Sequence, residues 1–403
     1  MIGRYVHVAL LSAALLGCAK PLRAEWQFEM AEPERELGVG YAVSLVDLNS
    51  DGKLDIVVVD TERVLWYENP SWHRRVITAG TTTRDNVCIA PHDIDGDGQI
   101  DLALGAGWRG LSTDAVGTVQ WLARGATLDE PWTVRHIADE PSVHRMRWVD
   151  LEGDGKPELV MLPLLGAGTT GPAYAERPVR LMAYAIPAAP EKDRWPATVL
   201  NEELHAAHNF WPTDLNNDGK IDLLAVSFEG VSLLERNDDG TWRRTVIGEG
   251  YQVEGAPSRG ASEIKRGLLA NGQDYIATIE PWHGFQVVVY TRPEAGQTLW
   301  KRHLLDEQLK WGHGVWCANL DDDADEELII GVRDKLDDAN PHGVRIYDPA
   351  VDADGPITWT RQLVDPAGVA VEDLAAADLN QDGKVDIVAV GRATKNVRVY
   401  TAK

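Results

Sequence analysis

Short apolar runs of three or four residues, flanked by Gly, Asp and Asn, recur along this 403-residue chain; Ile56 to Val59, Leu102 to Leu104 and Leu223 to Val226 are examples. Runs of this length with such flanks predict buried strands rather than helices. Each follows a short strand and an acidic loop, and leads into a strand such as Val64 to Tyr67 or Val397 to Tyr400. A last strand opened by Trp ends the unit. The unit repeats: VDLNSDGKLDIVVV from Val46 returns as HDIDGDGQIDLALG from His92, VDLEGDGKPELVML from Val149, TDLNNDGKIDLLAV from Thr213 and ADLNQDGKVDIVAV from Ala377. A worn copy, ANLDDDADEELIIG, begins at Ala318.

The first loop positions, Asp47, Asp93, Asp150, Asp214, Asn319 and Asp378, lie 46, 57, 64, 105 and 59 residues apart. The gap of 105 residues spans two units. A loopless unit is therefore expected over Glu263 to Tyr290, with Asn271-Gly272 as a two-residue hairpin turn replacing the loop. Trp72, Trp132, Trp195, Trp242, Trp300 and Trp359 open six outer strands, and the seventh such Trp stands at the other end of the chain, at Trp26. The pattern predicts an all-β chain folded as a seven-bladed β-propeller. Its N-terminal strand would close the last blade and remove the open sheet edges.

The loops carry acids at positions 1, 3, 5 and 9 with Gly at 6, an arrangement that wraps oxygen ligands around a hard cation, so several structural Ca2+ ions are expected. The candidate ligand sets are Asp47, Asn49, Asp51, Asp55; Asp93, Asp95, Asp97, Asp101; Asp150, Glu152, Asp154, Glu158; Asp214, Asn216, Asp218, Asp222; and Asp378, Asn380, Asp382, Asp386. In the worn loop Asp321, Asp323 and Glu327 persist, but Asn319 and Ala324 replace the first acid and the glycine. An EF-hand needs a bidentate Glu at position 12, where this chain has Val58, Leu104, Met161, Ala225 and Ala389. The loops resemble the FG-GAP/VCBS repeats of the integrin α-subunit propeller and its bacterial relatives. That resemblance covers nearly all of residues 25–403 and implies the fold and calcium, not an activity.

Charge and targeting narrow the class. With 63 acidic against 39 basic side chains the chain is a poor partner for nucleic acid or an anionic membrane surface. Residues 1–24 read as a signal peptide, with an apolar stretch of eleven residues from Val6 to Leu16. Leu15-Leu16-Gly17-Cys18 is lipobox-like, which would place a lipid anchor on Cys18; ordinary cleavage near Ala24 is the other reading. Both predict an extracytoplasmic protein, periplasmic or secreted, with no transmembrane span. Cys88 and Cys317 fall in different blades and are expected as small core residues.

Aligning the blades on their loops exposes a second column. Six residues before the first loop position stand His144, His208 and His313, with Tyr41, Val87 and Glu372 in the same column. The inner strand separates this column from the loops by about 20 Å, at roughly 3.3 Å per residue. Three imidazoles and a carboxylate converging at the channel mouth suit a second divalent metal (Zn2+, Mn2+ or Mg2+) or an acid–base cluster. Trp108, Arg109, Phe228, Glu229, Glu280, Trp282, His283, Arg333 and Arg392 are expected at the same mouth, a mixture suited to carbohydrate. His92 and His205 are expected to be structural or incidental.

Pro141-Ser142-Val143-His144-Arg145 and Ala207-His208-Asn209-Phe210 resemble the propeller portion of aldos-2-ulose dehydratase. The resemblance implies a lyase removing water, or another leaving group, from a keto-sugar. His144, His208 and His313 would hold the metal, with Glu372, Tyr41 or His283 as the base. No cupin-like continuation follows, so an isomerase step carried there is not expected. The competing expectation is a non-catalytic, calcium-stabilised propeller that binds glycan or protein.

Overall fold

The computed structural model of the chain describes residues 25–114, 117–351 and 356–403. The segment expected to be a signal peptide, residues 1–24, and with it Cys18, lies outside the described residues. Seven antiparallel four-stranded sheets make the ring. Their inner strands are Ala42–Val46, Cys88–His92, Val143–Val149, Asn209–Thr213, Glu263–Leu268, Lys310–Ala318 and Val371–Ala377, taken as blades 1 to 7. The described residues contain no helix long and apolar enough to cross a membrane.

Blades 1 to 6 each use four consecutive strands. Blade 7 has three, Val371–Ala377, Asp386–Gly391 and Val397–Ala402, and takes its fourth from Phe28–Glu34, with Met30 opposite Tyr400. The expected closure is what forms.

The second strand of each blade is covered on both faces by its neighbours, which is why it reads as continuous apolar sequence: Asp55–Val59, Asp222–Ser227 and Asp386–Gly391 are buried throughout. The cores lie between blades. Val57, Val59 and Trp66 of blade 1, for example, pack against Leu102, Leu104 and the outer-strand Trp132 of blade 2. Burying each such aliphatic side chain contributes about 1.5–3 kcal/mol.

Blade 5 is the unit without an acidic loop, but its turn differs from expectation. Leu269 N–H donates to the Gln273 carbonyl at 2.8 Å and Gly272 N–H to the Leu269 carbonyl at 2.8 Å, giving a three-residue loop, Ala270 to Gly272. Gly272 sits at φ +77°, the left-handed residue that such a loop requires. Cys88 and Cys317 are free thiols in the inner strands of blades 2 and 6.

Candidate active site at the channel mouth

The two chemistries expected from the sequence occupy opposite ends of the inner strands. At one end are the acidic loops. The position-6 glycines Gly52, Gly98, Gly155, Gly219 and Gly383 all adopt φ between +80° and +89°, a conformation that Gly takes without penalty. The position-1 acids accept backbone N–H groups inside the loop, as Asp47 does from Asp51 at 3.1 Å and Gly52 at 2.8 Å. The position-9 acid anchors the loop and is buried in every intact loop except that of the half-buried Glu158: Asp55 accepts from Leu48 and Asn69, Asp101 from Ile94 and Arg124, and Asp386 from Leu379 and Ala402. Burial pushes Asp101 and Asp222 up to about 6. In blade 2, Asp93, Asp95 and Asp101 each bring a ligand atom within 4.8 Å of the others, a donor set that fits a hard cation.

The worn loop of blade 6 keeps such a set in Asp321, Asp323 and Glu327. A second trio, Asp325, Glu327 and Asp348, is buried beside it. Burial, with Asp321 and Asp325 nearby, pushes Glu327 up to about 8. Sequence reasoning missed Asp325 and Asp348; Asp348 lies on the third strand, Gly343–Val351, outside the repeat motif.

At the other end the imidazoles converge, with one exchange of roles. His208, His283 and His313 bring ligand nitrogens within 4.8 Å of one another, and His144 is not in that set. His283 enters from the loop between Asp274–Glu280 and Gln286–Thr291 of blade 5, and its Nε2 lies 2.7 Å from His208 Nε2. Two neutral imidazole nitrogens this close need a shared proton or a cation between their lone pairs.

The tautomers follow from backbone partners. A carbonyl only accepts, so Nδ1 of His313, 2.5 Å from the Glu372 carbonyl, carries the proton and leaves Nε2 a lone pair. His144 Nδ1 likewise donates to the His208 carbonyl at 3.0 Å. His208 Nδ1 lies 2.8 Å from Glu263 Oε1, but out of line for a hydrogen bond. The contact is therefore electrostatic and still favours a proton on Nδ1. Burial, with neighbouring imidazoles and arginines, holds all four histidines well below the usual imidazole range, in the neutral form that a metal needs. Three neutral, convergent nitrogens with carboxylate and carbonyl partners behind them fit a transition-type divalent ion.

Around this centre Glu372 is buried and held by Arg392 at 2.6 Å and Arg333 at 3.6 Å, with His313 Nε2 at 3.9 Å. Burial, with Asp85 nearby, raises the Tyr41 phenol to about 12, so near neutrality it donates a proton and does not serve as a base. Trp108 meets Tyr41 edge-on at 5.7 Å, and Trp282 packs on His283 at 4.2 Å. Three expected mouth residues are not free there. Glu280 is fully buried inside blade 5, accepting from Tyr290, Thr278 and Arg302. Glu229 is taken by His205 and Ser227, which gives His205 a structural partner. Arg109 is exposed and does not line the space over the imidazoles. His92 stacks on Trp148 at 4.8 Å.

The sequence reading missed Glu263, which sits in the blade whose missing loop removed the alignment mark. It also missed Trp311, which stacks on His283 at 5.2 Å and beneath Arg333 at 4.3 Å.

A model of the FG-GAP-like repeat matches residues 47–104, and one described as the β-propeller domain of aldos-2-ulose dehydratase matches residues 116–293. The chain is a seven-bladed propeller, and the stretch from its first acidic loop through the second strand of blade 2 is similar to the FG-GAP-like repeat. The propeller is 25% identical over 319 residues to aldos-2-ulose dehydratase of Phanerodontia chrysosporium, covering 73% of the present chain and 34% of that relative. The propeller thus spans about a third of the relative's length. Among solved structures, an Agrocybe aegerita lectin described as recognising non-reducing terminal N-acetylglucosamine aligns over 80% of both chains, with a TM-score of 0.47 and 14% identity.

Proposed function

We propose that this propeller is a metal-dependent carbon–oxygen lyase acting on a keto-sugar or related carbohydrate, with calcium in its loops serving structure alone. The observation that carries the reading is the convergence of His208, His283 and His313 on one point. A divalent ion held there would polarise the carbonyl of a bound ketose and acidify the adjacent C–H. His144, with Nδ1 tied to a carbonyl, offers Nε2 as the base that removes this proton. Tyr41, kept protonated by its surroundings, can give a proton to the departing hydroxyl, so that water leaves and a C=C bond forms. The similarity to a dehydratase propeller supports this class of substrate.

The space over the imidazoles is only about 50 Å³, enough for an ion and one functional group of the ligand. The rest of a sugar would lie on the rim formed by Trp311 and Arg392. That small volume also favours a second reading, in which the mouth binds a glycan terminus without turning it over.

One experiment separates them. The purified chain is mixed with 2-keto-sugars while enone absorbance is followed in the ultraviolet, and its metals are assayed after mild calcium chelation. The lyase reading expects a retained transition-type ion and turnover. His144→Gln should keep the metal and lower kcat/KM by about 10²–10⁴-fold. His208→Ala should lose both. Absence of a retained metal together with unchanged sugars would support the binding reading instead.

A further inference from the structure

Behind the histidines the channel widens into a cavity of about 440 Å³, running from Arg145 and Glu263 to Leu54 and Ala377 beside the acidic loops. This is within the range of small-molecule pockets, about 300–1,000 Å³. Its walls carry three cations, Arg145, Arg147 and Lys265, against two carboxylates, Glu263 and Asp373. The carboxylates are engaged: Glu263 with Arg145, Asn209 and His208, Asp373 with the amides of Val43 and Leu374.

Two of the cations have no carboxylate in direct contact. Arg147 donates only to uncharged oxygens, Asn209 Oδ1 at 3.0 Å and the Phe210 carbonyl at 2.6 Å. Lys265 is 5% exposed, and its ammonium is held between indole faces, 3.2 Å from the Trp211 centroid and 4.1 Å from that of Trp316. Cation–π contact offsets part of the burial cost but leaves the three N–H donors without an oxygen. Among the described residues no carboxylate is in ion-pair contact with Arg147 or Lys265, although Glu263 and Asp373 attract both from further away. A buried ammonium with no anion in contact is costly, so Lys265 must either give up its proton or receive an anion from the cavity.

We infer that this cavity is a second ligand site, separate from the histidine centre, for a polyhydroxylated monocarboxylate such as a sugar acid. Its carboxylate would sit on Lys265 and Arg147, and its hydroxyls would donate to the remaining lone pairs of Asp373 and Glu263. Burial and Arg147 drive Lys265 towards its neutral form, and a bound carboxylate would counter both.

The test is titration calorimetry of the whole calcium-loaded chain with D-glucuronate, D-gluconate, D-glucose, acetate and inorganic phosphate. Saturable binding of at least one sugar acid is expected, with none of glucose or acetate. Lys265→Gln should weaken it at least tenfold, and Ser44→Leu, which fills the cavity from the far wall without touching a charge, should abolish it. Retained circular dichroism melts qualify both variants. His283→Ala, which removes an imidazole from the convergent trio without touching Glu263, should bind the sugar acid unchanged, which separates this site from the lyase reading. No sugar-acid binding, binding of phosphate alone, or equal binding by folded Lys265→Gln would overturn the inference.

Discussion

A single carboxylate can tie two blades together, and Asp306, at the end of the outer strand Lys301–Asp306 of blade 5, does so against blade 6. It accepts from the Tyr347 hydroxyl at 2.6 Å, Arg361 at 2.9 Å and the buried Arg345 at 3.1 Å. Burial works against its charge, yet Tyr347, the Gln308 amide and Arg361 outweigh it and keep the carboxyl below the ordinary aspartate range. Asp306→Ala strands the Arg345 guanidinium and should cost about 3–5 kcal/mol in urea unfolding at pH 7. The folded-state value is depressed, so the contribution is full above the unfolded value of about 3.9 and fades as pH falls through the folded one. The gap between wild type and variant should therefore narrow below pH 4; a pH-independent gap would show that the charge is irrelevant. At this scale the sequence was informative about residue type and less so about role. A column of three histidines was visible, but His283 replaces His144 in the convergent set because a connecting loop, outside the repeat frame, carries it inward.

The acidic loops and the blade 5 turn solve the same problem, joining first and second strands, by different means. Calcium bound to a loop at 100 times its dissociation constant would add about 2.7 kcal/mol to unfolding. A chelator should accordingly lower the melting temperature, and calcium should restore it. Gly98→Ala and Gly272→Ala both force a side chain into a left-handed conformation, at φ +86° and +77°, costing about 1–2 kcal/mol each. Only Gly98→Ala should also lose part of the calcium response; equal responses would argue that the blade 2 loop binds no ion. The intact loops were legible because every constraint lies within nine consecutive residues. The blade 6 carboxylates were only half legible: Asp348 meets Glu327 through strand pairing, which no local motif encodes.

For the whole molecule, blade number was legible twice over, from loop spacing and from the outer tryptophans. What fills the channel was not, because it depends on how seven inner strands align around an axis. Only that alignment brings Arg147, Lys265, Trp211 and Trp316 to one level. Closure of the ring has a measurable role. Deleting residues through Glu34 should bare the Val397–Ala402 edge and convert a monodisperse protein into aggregate by size-exclusion chromatography; a monodisperse product would mean the edge is otherwise protected. The clasp between Phe28–Glu34 and Val397–Ala402 also leaves Lys403 donating to the Gln27 carbonyl at 2.9 Å, so residues far apart in sequence are neighbours in space. Topologically the ring has no fixed beginning. A circular permutant joined across that seam and reopened within Ala270 to Gly272 should keep all seven blades. During synthesis of the natural order, by contrast, Phe28–Glu34 must wait unpaired until Val397–Ala402 has emerged.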